Sequence, residues 1–316
     1  METTIVKVAV TGSHGYIGSV LSKMLTEQGY YVYACDNKKF LGGNFKYLRT
    51  VINTSFDNKF FVNMVIDNNI DTIFHLAASS LLGPSATDPL LYFQNNTART
   101  INLLDQLARR QWKGRIVFSS TAAVYGDQGE TVTEDHPTQP CNNYGLSKLM
   151  CEEAMYVAHM YGINTTVFRY FNVAGGYDDV GQDSEEPHII TRICNAAAGR
   201  TPLIVYGNRY ATHDGTCLRD YVHVRDICQA QIYAIENQVD GTFNLGTIKG
   251  TTVKEIIKAF VNQNNVPVPY TIGEEREGDP AYLVANPQKY VDNGFKYQYS
   301  NIDQIVKSAW EYFNGV

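Results

Sequence analysis

A tyrosine and a lysine stand four residues apart in Tyr144-Gly145-Leu146-Ser147-Lys148, inside a pattern that predicts a helix over Tyr144–His159. That spacing puts both side chains on one helix face. A free phenol titrates near pH ~10 and is a poor base at neutral pH. A lysine ammonium beside it favours the phenolate, as does the positive ring of an oxidised nicotinamide. Tyr144 is then able to take a proton from a secondary alcohol while hydride leaves the same carbon. The segment Ser119-Ser120-Thr121 follows a predicted strand, Arg115–Ser119. Ligands of open α/β sheets bind at the C-terminal edge of the strands, where the Thr121 hydroxyl can hydrogen-bond the same substrate oxygen. Ala122 and Ala123 come next and cannot transfer a proton.

The hydride acceptor has its own signature. Gly12-Ser13-His14-Gly15-Tyr16-Ile17-Gly18 follows the predicted strand Ile5–Val10 and opens a helical pattern over Ser19–Gln28, which stops at Gly29. In that strand–turn–helix context Gly12 permits a tight turn, Gly15 lets backbone amides approach a pyrophosphate, and Gly18 lets the helix pack on the strand. The helix N-terminus turns its partial positive charge toward the phosphates. Asp36, 18 residues after Gly18, ends the second predicted strand, Tyr31–Cys35. A carboxylate there accepts both adenosine ribose hydroxyls and repels a 2′-phosphate, so NAD is expected rather than NADP. Lys38 and Lys39 oppose that preference slightly.

The elements that must hold these groups alternate. Strands are predicted at Asp71–Leu76, Arg115–Ser119 and Thr165–Tyr170, with helices at Ala98–Arg110 and Tyr144–His159 between them. The alternation calls for an α/β fold, a Rossmann-like doubly wound parallel sheet with helices on both faces. Beyond Phe171 the rhythm changes, with Gly, Asp and Pro clustered over 175–187 and 207–220 and helical patterns at Ile189–Ala198, Val224–Asn237 and Val253–Asn262. The expected division is an NAD-binding domain over residues 1–171 and a smaller α/β substrate domain over 172–316. Within the latter, about 222–246, including Asp226–Asn237 and Thr242–Leu245, returns to pack on the first.

Composition narrows the class. The 316 residues are 44% hydrophobic and 18% charged with a net charge of −6, and no basic run marks a nucleic-acid binder. The 22 Tyr and 14 Phe are enough to furnish both a core and a site for planar or sugar ligands. Six scattered cysteines with no Cys-x-x-Cys pairing read as free thiols of a reducing compartment. With no apolar run of membrane-span length and a strand entered directly after Met1–Thr4, a cytoplasmic location is expected, in which the sequons at Asn53, Asn95 and Asn164 carry no meaning. His213, Asp214 and His223 lack metal-ligand spacing on one element, so no metal is expected. Ser119, His75 and Asp71 do not form a triad, and His14 reads as solvated.

Taken together, the motifs resemble the extended short-chain dehydrogenase/reductase family and, within it, the NAD-dependent epimerases of UDP-sugars, over nearly the whole chain. They are Gly12-x-x-Gly15-x-x-Gly18, Asp36-Asn37, His75-Leu76-Ala77-Ala78, Asn95-Asn96, Ser119–Gly126, Tyr144/Lys148, Arg169-Tyr170-Phe171-Asn172, Asp214-Gly215-Thr216, Arg219–Val224 with Asp226, Asn244-Leu245-Gly246 and Arg276-Glu277-Gly278-Asp279. The resemblance implies that Tyr144, Lys148 and Thr121 are catalytic. It implies that Gly12, Gly15, Tyr16, Ile17, Gly18, Asp36, Asn37, Leu76, Ala77, Ala78, Asn95, Tyr144, Lys148 and Tyr170 bind NAD. It gives Thr121, Tyr144, Asn172, His188, Tyr206, Arg219, Arg276, Asp279 and Leu283 to a UDP-sugar. A homodimer formed through helices such as Ala98–Arg110 or Lys148–His159 is implied as well. One departure stands out: Thr54-Ser55 occupies the place of the family's Asp-Ile or Asp-Leu at the adenine pocket, which implies weaker adenine recognition.

Sister reactions of such a fold share the first oxidation. Nucleotide-sugar dehydratases resemble one another in an Asp-Glu pair after the catalytic Thr, and Ala122-Ala123 replaces it here. The expected activity is therefore 4-epimerisation of a UDP-hexose (UDP-glucose/UDP-galactose) through transient oxidation at C4. The alternatives are epimerisation of an N-acetylated or pentose UDP-sugar, an NAD(P)-dependent nucleotide-sugar reductase and, outside enzymes, a nucleotide-sensing module.

Overall fold

The computed structural model describes residues 5–38, 50–275 and 281–315. The chain opens with β1 (Lys7–Thr11), α1 (Tyr16–Glu27), β2 (Tyr31–Asp36), β3 (Thr50–Asn53), α2 (Lys59–Asp67) and β4 (Thr72–His75). It continues through α3 (Leu82–Thr87), α4 (Pro89–Tyr92), a π-helical turn at Phe93–Ala98, α5 (Arg99–Arg109), β5 (Arg115–Thr121), β6 (Thr131–Val132) and α6 (Asn143–Ala158). Then come β7 (Asn164–Tyr170), β8 (Asn172–Ala174), α7 (Ile189–Ala197), β9 (Leu203–Tyr206), β10 (Leu218–His223) and α8 (Val224–Glu236). The last elements are β11 (Gly241–Leu245), β12 (Gly250–Thr252), α9 (Val253–Asn264), β13 (Tyr270–Gly273), β14 (Tyr282–Ala285), α10 (Gln288–Asp292) and α11 (Ile302–Asn314).

Seven of the described strands form one sheet in the order β11-β7-β5-β4-β1-β2-β3. The pairs β1/β2, β1/β4, β2/β3 and β4/β5 are parallel. The doubly wound parallel sheet expected from the alternation is thus present. Its order reverses at β1, whose neighbours are β2 on one side and β4 on the other, and such a switch point is where open sheets bind ligands. Val8, Ala9 and Val10 are fully buried, the near-continuous apolar run of a parallel strand covered on both faces. On α5, Leu103, Leu104 and Leu107 face the core beside Phe61, Ile73, Ile116 and Met155.

The chain divides into two compact units. The first holds Met1–Gly126, Pro137–Arg169 and Cys228–Phe243; the second holds Asp127–His136, Tyr170–Ile227 and Asn244–Val316. In the second, β12-β10-β14-β6 form a sheet with β8 added on β10, and β9 pairs β13. Asp127–His136 falls in this unit because β6 pairs β14 in parallel. Its core gathers Ile193, Leu203, Val205, Ile256, Phe260 and Ile305. α9 opens with a reciprocal cap: Thr252 and Glu255 each satisfy the other's backbone amide.

Two boundaries differ from the sequence expectation in ways that matter to the site. α1 begins at Tyr16 rather than Ser19, so Gly18 lies in its first turn. β5 runs on through Thr121, making that residue the last of its strand. No helix of the described residues is long and apolar enough to cross a membrane. All six cysteines are free; Cys35, Cys151, Cys194 and Cys228 are buried, whereas Cys141 is exposed.

Candidate active site

Thr121 and Tyr144 meet because β5 and α6 approach closely where each ends or begins. α6 is capped by Asn142, whose side chain accepts the Gly145 amide at 2.8 Å. A Cβ on Gly145 would stand 2.4 Å from the Ala123 carbonyl oxygen, so only glycine admits this approach. The Thr121 side chain lies close enough to the Tyr144 phenol to lower it by hydrogen bonding. Tyr92 packs edge-on against the Tyr144 ring, with centroids 6.4 Å apart.

Lys148 is buried one turn further along α6, its Nζ 4.2 Å from the centre of the Phe118 ring. Burial lowers its ammonium to about 8, and neighbouring Cys151 and Glu152 act in the opposite direction. The lysine is therefore still mostly charged at neutral pH. Burial pushes the Tyr144 phenol up to about 12, while the Thr121 hydrogen bond pulls it back. In the protein without cofactor, burial dominates and Tyr144 keeps its proton.

The π-helical turn supplies a second anchor for α6. Such wide turns displace side chains from their helical line and recur at functional sites. Asn96 is buried there; its side-chain amide donates to the Ser79 carbonyl and the Ser147 hydroxyl, both at 3.0 Å, and its oxygen accepts the Ser79 amide at 2.8 Å. Asn95, the neighbour named from sequence, donates to the Ser79 hydroxyl at 3.2 Å.

The glycine loop is shaped for an extended phosphorylated ligand. Gly12 has φ +71°, and a Cβ there would meet the Ala77 backbone nitrogen at 2.7 Å. On Gly18 it would meet the Gly12 carbonyl oxygen at 2.1 Å. Gly15, by contrast, is exposed, and an added Cβ would touch only the Gly12 oxygen, at 3.3 Å. The loop is thus closed on its protein side and open above Gly15, where α1 begins without any acidic residue in its first turn. Asp36 ends β2 beside this loop, accepting the His14 and Lys38 amides at 2.9 Å each. His14 is a correction: its side chain is only 6% exposed and lies 3.7 Å from the Asp36 carboxylate. Asn37 is exposed, Tyr16 and Ile17 are half-buried, and Leu76, Ala77 and Ala78 leave β4 with the Leu76 amide donating to the Thr11 carbonyl at 3.2 Å. Thr54 donates its amide to the Asp36 carbonyl at 3.0 Å, and the Ser55 hydroxyl bonds Asp57.

His75 lies below the loop as a neutral bridge. One ring nitrogen pairs with the Thr11 hydroxyl at 2.8 Å and the other with Thr100 at 3.0 Å. Burial, aided by the Lys148 charge, lowers it to about 3.

The remaining candidates lie in the second unit. Arg219 of β10 pairs in register with Leu283 of β14, and Tyr221 with Asn172 of β8. Because strand side chains alternate, Asn172, Arg219 and Leu283 share one sheet face. Tyr282 takes the other, its hydroxyl 2.7 Å from that of Thr131. Asn172 donates to the Asp220 carbonyl at 3.2 Å. Tyr206 ends β9 with the Arg192 guanidinium 5.3 Å above its ring, and His188 precedes α7 as its exposed N-cap. Tyr170 closes β7 and is buried. Arg276 and Asp279 lie outside the described residues. His213 pairs with Glu255 at 3.1 Å and His223 with Ser308 at 2.9 Å, both ordinary polar contacts.

The reading from spacing did not single out Glu152. It follows Lys148 by the same four residues that separate Lys148 from Tyr144, a signal the sequence carried, and it forms a buried ion pair with Arg169.

The NAD dependent epimerase/dehydratase family matches residues 8–246. A UDP-glucose 4-epimerase of Lacticaseibacillus casei is 39% identical over 321 residues, spanning 96% of each chain. The crystal structure of UDP-glucose 4-epimerase from Brucella ovis in complex with NAD superposes with a TM-score of 0.91 at 33% identity, covering 98% of both chains. The UDP-Glc/GlcNAc 4-epimerase of Campylobacter jejuni superposes with a TM-score of 0.83 at 30% identity, over 98% of this chain and 99% of that one.

Proposed function

The chain belongs to the NAD dependent epimerase/dehydratase family, and we propose that it is an NAD-dependent enzyme that interconverts UDP-glucose and UDP-galactose by epimerisation at C4. The observation that carries the reaction type is the juxtaposed Thr121–Tyr144 pair, followed by Ala122-Ala123. That pair handles one proton at one oxygen. Eliminating water would require a further acid and base, and the two alanines supply neither.

NAD, when bound, would supply the acceptor and then the donor of the C4 hydride. The open glycine loop and the Asp36 carboxylate fit its pyrophosphate and ribose, with Gly12, Gly15, Tyr16, Ile17, Gly18, Asn37, Leu76, Ala77, Ala78, Asn95, Lys148 and Tyr170 completing the set. Tyr144 and Thr121 hold the substrate hydroxyl. As phenolate, Tyr144 would take the proton of the C4 hydroxyl and later return it to the same oxygen, balancing the removal and return of hydride at that carbon. Lys148, charged and within the helix turn, favours the phenolate once the positive nicotinamide is also present.

The first unit is assigned to NAD and the second to the sugar nucleotide. Arg219, with Arg276, meets the diphosphate as a forked cationic donor, and Asn172, His188, Tyr206, Asp279 and Leu283 hold the rest. The working form is a homodimer, a reading supported by an exposed apolar stripe on α6 and Ile101 on α5. Its six free cysteines favour the cytoplasm.

The test is incubation of the purified protein with UDP-galactose and NAD, with products separated by chromatography and absorbance followed for reduced cofactor. UDP-glucose is expected to form with no net NADH. In a parallel incubation with added NADH, consumption of one NADH per product would favour the reductase instead.

A further inference from the structure

On α6, Glu152 continues the line of Tyr144 and Lys148 at intervals of four residues. It is 7% exposed and fully engaged. Arg169 on β7 grips it from the side, with Nε 3.1 and 3.2 Å from the two carboxylate oxygens and Nη2 2.7 Å from one of them. The Ser120 hydroxyl donates to the other side of the same carboxylate. Arg169 also donates Nη1 to the Tyr125 hydroxyl at 2.9 Å, its guanidinium 4.8 Å from the centre of that ring. Ser120 immediately precedes Thr121, and Tyr125, fully buried, ends the short 3-10 turn that Thr121 begins.

One carboxylate thus ties the helix bearing Tyr144 to both flanks of Thr121, directly through Ser120 and through Arg169 to Tyr125. We propose that Glu152 is a positioning residue, which with Arg169 fixes the distance and alignment between the Thr121 and Tyr144 hydroxyls. This rests on the reading of those two groups as the reacting pair. A buried ion pair contributes little net stability compared with apolar side chains of equal volume. What it adds is geometry: a bidentate guanidinium fixes both separation and orientation, as no apolar contact does. Reaction rates are sensitive at that level, since a misplacement of about 1 Å can cost about 10²-fold.

The experiment compares wild type with the Glu152→Met/Arg169→Leu double variant, which removes both charges, and with Ser120→Ala, which removes one hydroxyl. Initial rates with UDP-galactose, UDP affinity and thermal midpoint are measured, with Tyr144→Phe as a reference. The expected result is a kcat lower by about 10–100-fold in the double variant and about 3–10-fold in Ser120→Ala, with KM and UDP affinity within about threefold of wild type. A folded double variant with wild-type kcat overturns the proposal, as does a parallel loss of kcat and UDP affinity, which marks a merely structural role. If the double variant does not fold, Ser120→Ala decides, and an unchanged kcat there is equally fatal. Full activity in Tyr144→Phe would reject the underlying active-site reading, whereas an inactive Tyr144→Phe beside active Glu152 and Ser120 variants rejects the positioning role alone.

Discussion

At Tyr144 two effects compete over one proton. Burial pushes the phenol up to about 12 and the Thr121 hydrogen bond lowers it. Tyr144→Phe keeps the ring against Tyr92 and deletes only the hydroxyl. Turnover is expected to fall by about 10²-fold or more with the thermal midpoint nearly unchanged; stopped assays beside a melting curve read both, and a folded, fully active variant sinks the assignment. Leu283 poses a question of size. It lies in register with Arg219, on the face opposite Tyr282. Leucine neither fills the space of an aromatic ring nor donates to a hydroxyl. Pocket volume discriminates by only about 1–3 kcal/mol, so lesser activity on N-acetylated UDP-hexoses is expected beside the main pair. Leu283→Tyr should suppress the N-acetylated reaction selectively, measured as the ratio of kcat/KM values. An equal fall for both substrates counts against this pocket.

Among the elements, α6 does two jobs with two faces. Its buried face carries Ser147, Lys148, Cys151, Glu152 and Met155. Its other face exposes Leu146, Met150 and Val157, and the same stripe continues to Tyr161 beyond the helix. Residues 146, 150, 157 and 161 recur at helical spacing, so the apolar surface is a line. A line of that kind on a helix is suited to pairing with its own copy about a twofold axis. Sedimentation equilibrium at micromolar concentration is expected to give the mass of two chains, and Val157→Asp the mass of one. Monomeric wild-type protein would remove the dimer. The buried face of the same helix, with Lys148 and Glu152, would then still be in place.

Over the whole molecule, acid stability is set by buried groups that titrate out of place. Burial lowers His75 to about 3 and His223 to about 4. Unfolded histidine titrates near ~6.5, so as pH falls below that value the unfolded chain binds protons that the fold refuses. Stability is full above about pH 6.5 and is lost progressively toward each folded value. Asp220 acts the other way: burial raises it to about 6 despite four hydrogen-bond donations from Thr247, Ile248 and Ala285. Its contribution is present at low pH and is lost as pH rises through about 6. Between pH 7 and 5 the two histidines each remove on the order of 1–2 kcal/mol and the aspartate returns about 1. The melting temperature should therefore fall from pH 7 to 5, and His75→Gln, which gains no proton, should flatten the slope. A flat wild-type profile contradicts this balance.

Local chemistry made much of this protein legible in its sequence. The glycine loop is readable because Gly12 must adopt φ +71° and Gly18 must lie against the Gly12 carbonyl, demands few other residues meet. The parallel sheet is readable because strands such as β1 and β4, buried on both faces, are short apolar runs separated by helices. Tyr144 and Lys148 are readable because a helix converts a spacing of four into a shared face. The small strands β8, β9, β12, β13 and β14 were not, since three or four residues carry too little periodicity and their pairing comes from distant segments. The burial of His14 was not legible for a related reason. Burial belongs to the packed fold, and it reversed the expected exposure of that side chain. The sequence by itself determined the glycine loop, the alternating elements of the sheet and the shared face of Tyr144 and Lys148. Only the tertiary structure decided that Glu152 joins Ser120, Arg169 and Tyr125 around Thr121, because residues up to 49 positions apart become neighbours only when β5, α6 and β7 pack.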